Sequence, residues 1–283
     1  MIGVVTTFFD FFYNSQRLEV YQKYRSFIKR CGVPHVTVEF KTTDQEFRLH
    51  YPEAIRYETP HPKFHKTNGI NIGARELIKQ GCKYIAWMDA DNVLSSTDWP
   101  NMAVDKLKHC DVIQLQHRCW REAATTEDKF SPSIVAAPNF RGHDGGGWAA
   151  RAEFFEELGH FDCIVSGANK MMLSGVYDKI WTFAREAYAC RIAAYAEKMK
   201  RFNRLGFLPL DCFQYNHGNP KRGQLCRTRF KMLQEIDFDF DRDCYYDSHG
   251  VIHFQFDDWK AEAIGKYLAE REGKRLQSKG NRS

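Results

Sequence analysis

The chain has 283 residues, 43% hydrophobic and 14% aromatic, enough for one substantial core. Charged residues make up 27%, which excludes wholesale disorder, and the formal net charge of +5 is compatible with an anionic partner without requiring one. The nine cysteines are dispersed, odd in number and without a CxxC pair, so reduced thiols are expected rather than a disulfide frame or a zinc cage.

The opening MIGVVTTFFDFFYN lacks a basic n-region and turns polar early, and no apolar run approaches the ~20 residues that cross a bilayer. A cytoplasmic protein without a membrane segment is the expectation. Ile2 to Thr7 is a β-branched run. From Ser15 to Cys31, Val20, Tyr24, Phe27, Ile28 and Cys31 recur at helical spacing, and Gly32 ends the pattern. HVTVEF (His35 to Phe40) alternates like a strand. Thr67 to Gln80 reads as a helix with Ile70, Ala74, Leu77 and Ile78 inward. KYIAWM (Lys83 to Met88) is a strand that runs into acids. Trp99 to Lys108 is helical, and Asp111 to Gln116 is a further strand. This alternation predicts right-handed βαβ units and a mostly parallel sheet.

Arg118 to Gly147 is polar and rich in proline and glycine, which predicts a long functional loop, partly mobile without ligand. Helical patterns follow at Ala152 to Leu158, Gly175 to Phe202, Gly223 to Gln234 and Trp259 to Glu272, with a strand-like stretch at Gly206 to Tyr215. One domain spans 1–273, with halves 1–117 and 118–273, and a basic tail covers 274–283.

The most informative segment is Tyr84-Ile-Ala-Trp-Met-Asp-Ala-Asp-Asn-Val-Leu94. A buried strand delivers Asp89 and Asp91 at its C-terminal end, where open parallel sheets bind ligands. Two carboxylates one residue apart repel unless a cation lies between them. Mn2+ or Mg2+ bridging phosphates answers that need, because both are hard ions held by one or two carboxylates plus substrate oxygens. By itself a D-x-D triplet is also compatible with a solvated turn; its place after an apolar strand favours the site. His217, in Cys212-Phe-Gln-Tyr-Asn-His-Gly218, is a candidate third ligand at a strand end, although spacing alone equally fits a surface histidine.

Four segments resemble the GT-A superfamily of glycosyltransferases, most closely the family 2-like enzymes of phages and bacteria: KTNGINIGARELI, IAWMDADNVL, GGGWAARAEFFEELGHFD, and YNHG with the basic helix after it. The resemblance spans about Ile2 to Phe254. It implies a Rossmann-like α/β fold and transfer from a nucleotide diphosphate sugar, with a UDP-sugar favoured, in the cytoplasm of a bacterium or a phage-infected host. Asp91 would bind the metal, Asp89 the nucleotide or the metal, and His217 would complete the metal site. Thr6 and Glu39 would lie near base and ribose, Lys66 would face the nucleotide, and Asn71 would support that region.

One departure concerns the general base. Related enzymes carry an acid in the glycine-rich stretch after GHFD, whereas this chain has Ser166-Gly-Ala-Asn169, and Asn169 cannot take a proton as a carboxylate does. Three readings remain. The base comes from elsewhere, with Asp144 the first choice; the enzyme retains configuration; or the protein is a silent nucleotide-sugar binder. No motif states the acceptor. Arg222, Arg227, Arg229 and Lys231 on one helix, with Trp148 to stack a displaced base, fit a hydroxymethylated pyrimidine in DNA. Alternatively, Arg222 and Arg227 hold the donor diphosphate and the acceptor is a polysaccharide, a small glycoside or a protein. A nucleotidyltransferase would be expected to show a glycine-rich loop after the first strand, which TTFFDFFYNSQR lacks.

Overall fold

The computed structural model describes residues 1–122, 130–137, 142–165, 167–173, 176–177, 185–216, 222–255 and 258–272, with only the backbone for 185–187, 189–190 and 222–227. Strand β1 (Ile2–Phe9) is buried on both faces from Ile2 to Thr6, as a strand inside a helix-covered sheet must be. Helix α1 (Ser15–Cys31) starts where the Asn14 side chain accepts the Gln16 N–H at 3.1 Å and stops at Gly32, whose φ of 66° is left-handed. Then come β2 (His35–Thr42), β3 (Ile55–Thr59), α2 (Lys66–Lys79), β4 (Tyr84–Met88), β5 (Asn92–Leu94), α3 (Trp99–Lys106) and β6 (Val112–Gln114). The second half supplies β7 (Arg118–Arg121), β8 (Phe130–Pro132), β9 (Gly147–Arg151), α4 (Ala152–Glu157), α5 (Ala168–Leu173), α6 (Arg185–Met199), β10 (Leu205–Phe207) and β11 (Asp211–Gln214). It closes with α7 (Arg222–Glu235), α8 (Phe240–Asp243), β12 (Cys244–Tyr246), β13 (Ile252–Phe254) and α9 (Asp258–Arg271).

The architecture is mixed α/β, with a mostly parallel central sheet flanked by helices. Its seven strands run in the order β10-β6-β9-β4-β1-β2-β3. Every strand is parallel except β9, which lies antiparallel between β4 and β6. A second sheet, in the order β5-β11-β7-β8, stands at the C-terminal end of β4, and β12 and β13 form a hairpin. Two apolar cores cover the two faces of the main sheet. One joins Val4, Phe8, Tyr24, Phe27, Met88 and Trp99 under α1 and α3. The other joins Val5, Phe40, Leu77, Trp87, Trp148 and Phe154 under α2 and α4.

Several expectations change. The polar stretch 118–147 is not one irregular loop: it contains β7 and β8, and Ser133 bridges His143. Its residues 123–129 and 138–141 lie outside the described residues, so the expected mobility is not addressed there. The GWAAR of that stretch becomes β9, paired antiparallel with both β4 and β6. Gly206 to Tyr215 splits into β10 and β11, which belong to different sheets. Helix α5 begins at Ala168, within the stretch after GHFD, and its Met171, Met172 and Leu173 are buried. The described cysteines Cys31, Cys82, Cys110, Cys119, Cys163, Cys212 and Cys244 are free thiols.

The close seat of α2 on the sheet fixes one wall of the site. A Cβ on Gly73 would come within 2.3 Å of Val5 Cγ2, and one on Gly69 within 2.6 Å of Thr7 Cγ2. Glycine at both positions lets the helix lie against β1 with its N-terminal Lys66 at the sheet rim. Gly73→Ala is therefore expected to destabilise the protein by up to about 2 kcal/mol, the overpacking cost of ~1–3 kcal/mol less the ~1 kcal/mol gained in helix propensity. The midpoint of urea unfolding measures this; an unchanged or higher midpoint would show that α2 has room to move.

Candidate active site

Strand β4 ends at Met88 and the chain turns at once into β5. The turn is closed by the Asn92 N–H donating to the Asp89 carbonyl at 3.1 Å, and the Asp89 N–H donates to the Gly146 carbonyl at 3.1 Å. The Asp89 carboxylate forms an ion pair with the Lys66 ammonium and accepts the Gly146 N–H at 3.3 Å. Asp91 is more enclosed, at 6% exposure. One of its carboxylate oxygens accepts the Asn92 amide at 2.8 Å and the other the Gln214 amide at 3.0 Å. The Tyr215 N–H donates to its carbonyl at 2.8 Å. The two acids thus have different supports: Asp89 faces α2 and the glycine loop, whereas Asp91 is held by β11.

The glycine loop is pinned rather than slack. Gln114 Nε2 donates to the carbonyls of His143 at 2.8 Å and Gly145 at 3.2 Å, and Gln116 Nε2 donates to the Gly145 carbonyl at 2.8 Å. Gly146 has φ of 91°, and a Cβ there would meet Gln116 Nε2 at 2.3 Å. Glycine here serves both the turn and the approach of the backbone amide to Asp89. The Asp144 carbonyl accepts the Trp148 indole N–H at 3.1 Å and the Asn169 amide at 2.5 Å, and the Asp144 side chain is half-buried.

Asn169, at the position of the missing acid, is an anchor. Its amide holds the Asp144 carbonyl while its oxygen lies 2.9 Å from His160 Nε2. Burial, above all, pulls the His160 imidazole down to about 4, so the ring is neutral near pH 7.

Other expected residues are placed differently. Thr6 is not at the end of β1, because the strand runs on to Phe9; its hydroxyl lies 2.5 Å from the Tyr24 hydroxyl inside the core under α1. The rim position belongs to Asp10, whose carboxylate accepts from Arg48 at 2.5 Å and the Asn14 N–H at 2.9 Å, while burial raises its pKa. Glu39 is 1% exposed, and one oxygen accepts the N–H groups of Arg48 and Leu49 at 2.6 and 3.0 Å, so it braces that loop. Asn71 joins α2 to His160 and Asp162 and turns away from the rim. Trp148 is fully buried, parallel to Trp87 at 6.5 Å, so its ring offers no face to a substrate. His217 and the side chains of Arg222 and Arg227 lie outside the described residues. On the same helix, Arg229 points at Gly167 and Lys231 pairs with Glu235 at 3.5 Å.

Sequence reasoning missed the supports: Asp10, Asn92, Gln114, Gln116 and Gln214. Of these only Gln214 left a signal, since alternation along β11 puts it on the same face as Cys212, opposite Phe213. It also missed a buried group behind Asn92. Cys212 Sγ donates to Asn92 Oδ1 at 3.1 Å, and Cys119 is its register partner on β7. The Cys212 thiol, then His143, draw the Cys119 thiol below its usual range against the effect of burial.

Among the described residues, no group of three or more His, Cys, Asp or Glu side chains is arranged to hold a metal. Two carboxylates at a strand end still fit Mn2+ or Mg2+, which take their remaining oxygens from phosphates and water. The Lys66 ammonium against Asp89 shows that this position accepts a cation.

No family model matches the sequence, and no curated protein matches it. Similar solved structures include the catalytic domain of Drosophila beta-1,4-galactosyltransferase 7, at 15% identity and a TM-score of 0.38, over 62% of this chain and 60% of that one. The chain thus spans about 60% of the length of that structure. A glycosyltransferase involved in glycosylation of the major capsid of PBCV-1 matches at 8% identity and 0.32, over 74% of this chain and 81% of that one. Mannose-1-phosphate geranyltransferase from Thermus thermophilus matches at 13% and 0.32, over 76% and 73%. Values this low leave the functional reading to the site's own residues.

His160 gives the protein a pH signature. Its folded pKa is about 4, below the ordinary 6.5, so in this window the unfolded chain binds more protons than the native state. His160 by itself is therefore expected to lower stability as pH drops from 6.5 toward 4, by on the order of 3 kcal/mol at ~1.4 kcal/mol per pKa unit, in the same direction as His35, also lowered to about 4, and against Asp162, which burial raises to about 6. His160→Gln should flatten that slope in urea titrations run across the window, and an equal slope in the variant would assign it to other groups.

Proposed function

We propose that the protein is a metal-dependent glycosyltransferase that moves a sugar from a nucleotide diphosphate sugar to an acceptor hydroxyl. The observation that carries this reading is the pair Asp89 and Asp91 at the end of a buried parallel strand, with the Lys66 ammonium on one of them. Asp89 and Asp91 would hold Mn2+ or Mg2+, with His217 as the proposed third ligand. The bound ion would supply electrostatic stabilisation of the diphosphate as it leaves.

The chain's own residues supply the rest. Lys66, at the N-terminus of α2, sits where an ammonium and the helix dipole both favour a phosphate. On donor binding it exchanges its Asp89 contact for a phosphate oxygen. Gln214 and Asn92 keep the Asp91 carboxylate oriented through both oxygens. Gln114, Gln116 and Asn169 fix the loop that carries Asp144, our candidate for the general base. Asn169 is not the base, because its amide nitrogen is committed to the Asp144 carbonyl. Uridine is the base that the resemblance implies. A hydroxymethylated base in DNA loses two of its supports: Trp148 is buried, and Lys231 already has a carboxylate partner.

Two measurements test the reading. Isothermal titration of UDP in the presence of Mn2+ should show binding that disappears in Asp91→Asn and weakens about 10- to 100-fold in Gln214→Ala, which leaves the ligand but removes its support. Asp91→Ala is a poorer probe, because orphaning the buried Asn92 amide and the half-buried Gln214 amide costs about 1–3 kcal/mol each. Lys66→Met should separate the two ligands: Mn2+ alone binds about tenfold tighter by electron paramagnetic resonance, while UDP with Mn2+ binds more weakly. If Asp91→Asn binds UDP and Mn2+ as well as the natural chain, the acidic turn is not the donor site.

A further inference from the structure

The small sheet has two faces, and the site uses one of them. Asn92, Leu94, Cys119 and Cys212 point inward and are buried. The alternate residues stand on the other face. Register places Phe213 opposite Val93 on β5 and opposite Trp120 on β7, and Trp120 opposite Phe130 on β8. These four side chains form one row across four strands, ~14 Å long at ~4.8 Å per strand. Phe213 is 37% exposed, Phe130 44%, and Trp120 is half-buried. Tyr215 extends the row along β11, edge-on to Phe213 at 5.0 Å.

Outward aromatic rings on a solvated sheet contribute little to the core, and a contiguous apolar patch commonly marks a binding surface. This one is continuous with the candidate site. Strand β5 begins at the residue after Asp91, and Phe213 precedes the glutamine that holds Asp91. A ligand lying along the row would have one end beside the acidic turn.

Charge decides the class of ligand. Arg118, whose guanidinium lies 5.7 Å from the Phe130 ring centre, makes two bonds to Asp211 at 2.9 and 3.1 Å. Lys23, 5.5 Å from the Tyr215 ring, pairs with Glu19 at 2.7 Å. Among the described residues, the two cations set over rings of the row, Arg118 and Lys23, are already matched by carboxylates. A single-stranded nucleic acid needs unmatched cations along its backbone as well as rings for its bases. A neutral sugar needs only the rings, because its axial C–H groups carry slight positive charge and fit the negative ring faces.

We propose that the outer face of the small sheet binds a neutral oligosaccharide and presents its end to the candidate active site as the acceptor. The acceptor role rests on the glycosyltransferase reading, whereas the binding surface does not. The test is isothermal titration of the full chain with cello-, xylo-, malto- and chitohexaose, and with an oligothymidylate, in buffer free of metal and nucleotide. Saturable binding of at least one hexasaccharide is expected, weakened about tenfold by Trp120→Ala and by Phe213→Ala. Phe213→Ala and Phe130→Ala remove exposed rings, so loss of binding in those variants with an unchanged circular dichroism spectrum reads the surface and not the fold. The proposal is overturned if no hexasaccharide binds, if the three variants bind as the natural chain does, or if the oligothymidylate binds instead. Because metal and nucleotide are absent, failure here leaves the donor reading intact, and a failed donor titration leaves this result standing.

Discussion

Two carboxylates one residue apart at the end of a buried strand repel each other, and each is matched here by partners of its own. Lys66 neutralises Asp89, and amide donors from Asn92 and Gln214 satisfy Asp91. Each answer draws on a different part of the fold. Lys66 is in reach because glycines let α2 lie against β1, and Gln214 is in reach because β11 pairs with β5 immediately after the acidic turn. The main and small sheets therefore meet at this turn. A cation already in the site and oriented carboxylate oxygens are the electrostatic basis of the proposed metal–diphosphate site.

The loop before β9 shows a second use of the same economy of contacts. Side chains from the end of β6 and the residues just after it, Gln114 and Gln116, and from α5, through Asn169, all bind its carbonyl groups. Its glycines do not make it slack; they allow a positive φ and bring one amide to Asp89. Rigid support of this kind places charged groups without reorganisation during reaction. His160 belongs to this frame: it is neutral, buried and bonded to Asn169, so it holds shape and carries no charge.

The small sheet divides its labour by strand alternation. Inward positions hold Asp91 and the buried thiols, and outward positions carry an aromatic row among balanced charges. Under the two proposals, one element would serve donor chemistry on one face and an acceptor surface on the other.

Local pattern was enough to read the first half of the chain. Strands β1, β2 and β4, helices α1, α2 and α3, and the delivery of Asp89 and Asp91 at a strand end all follow from hydrophobic periodicity and a glycine stop, which are properties of neighbouring residues. What the sequence could not determine by itself depends on partners far along the chain. GWAAR has no strand signature, and it becomes β9 only through its pairing with β4 and β6. Thr6 and Glu39 looked like rim residues until strand lengths and the fold of 48–49 put them inside. Trp148 resembled a stacking platform until the sheet closed over it, and Phe213 and Trp120 meant nothing until β7 and β11 were paired. Periodicity states which face of an element is apolar; only tertiary pairing decides what that face meets.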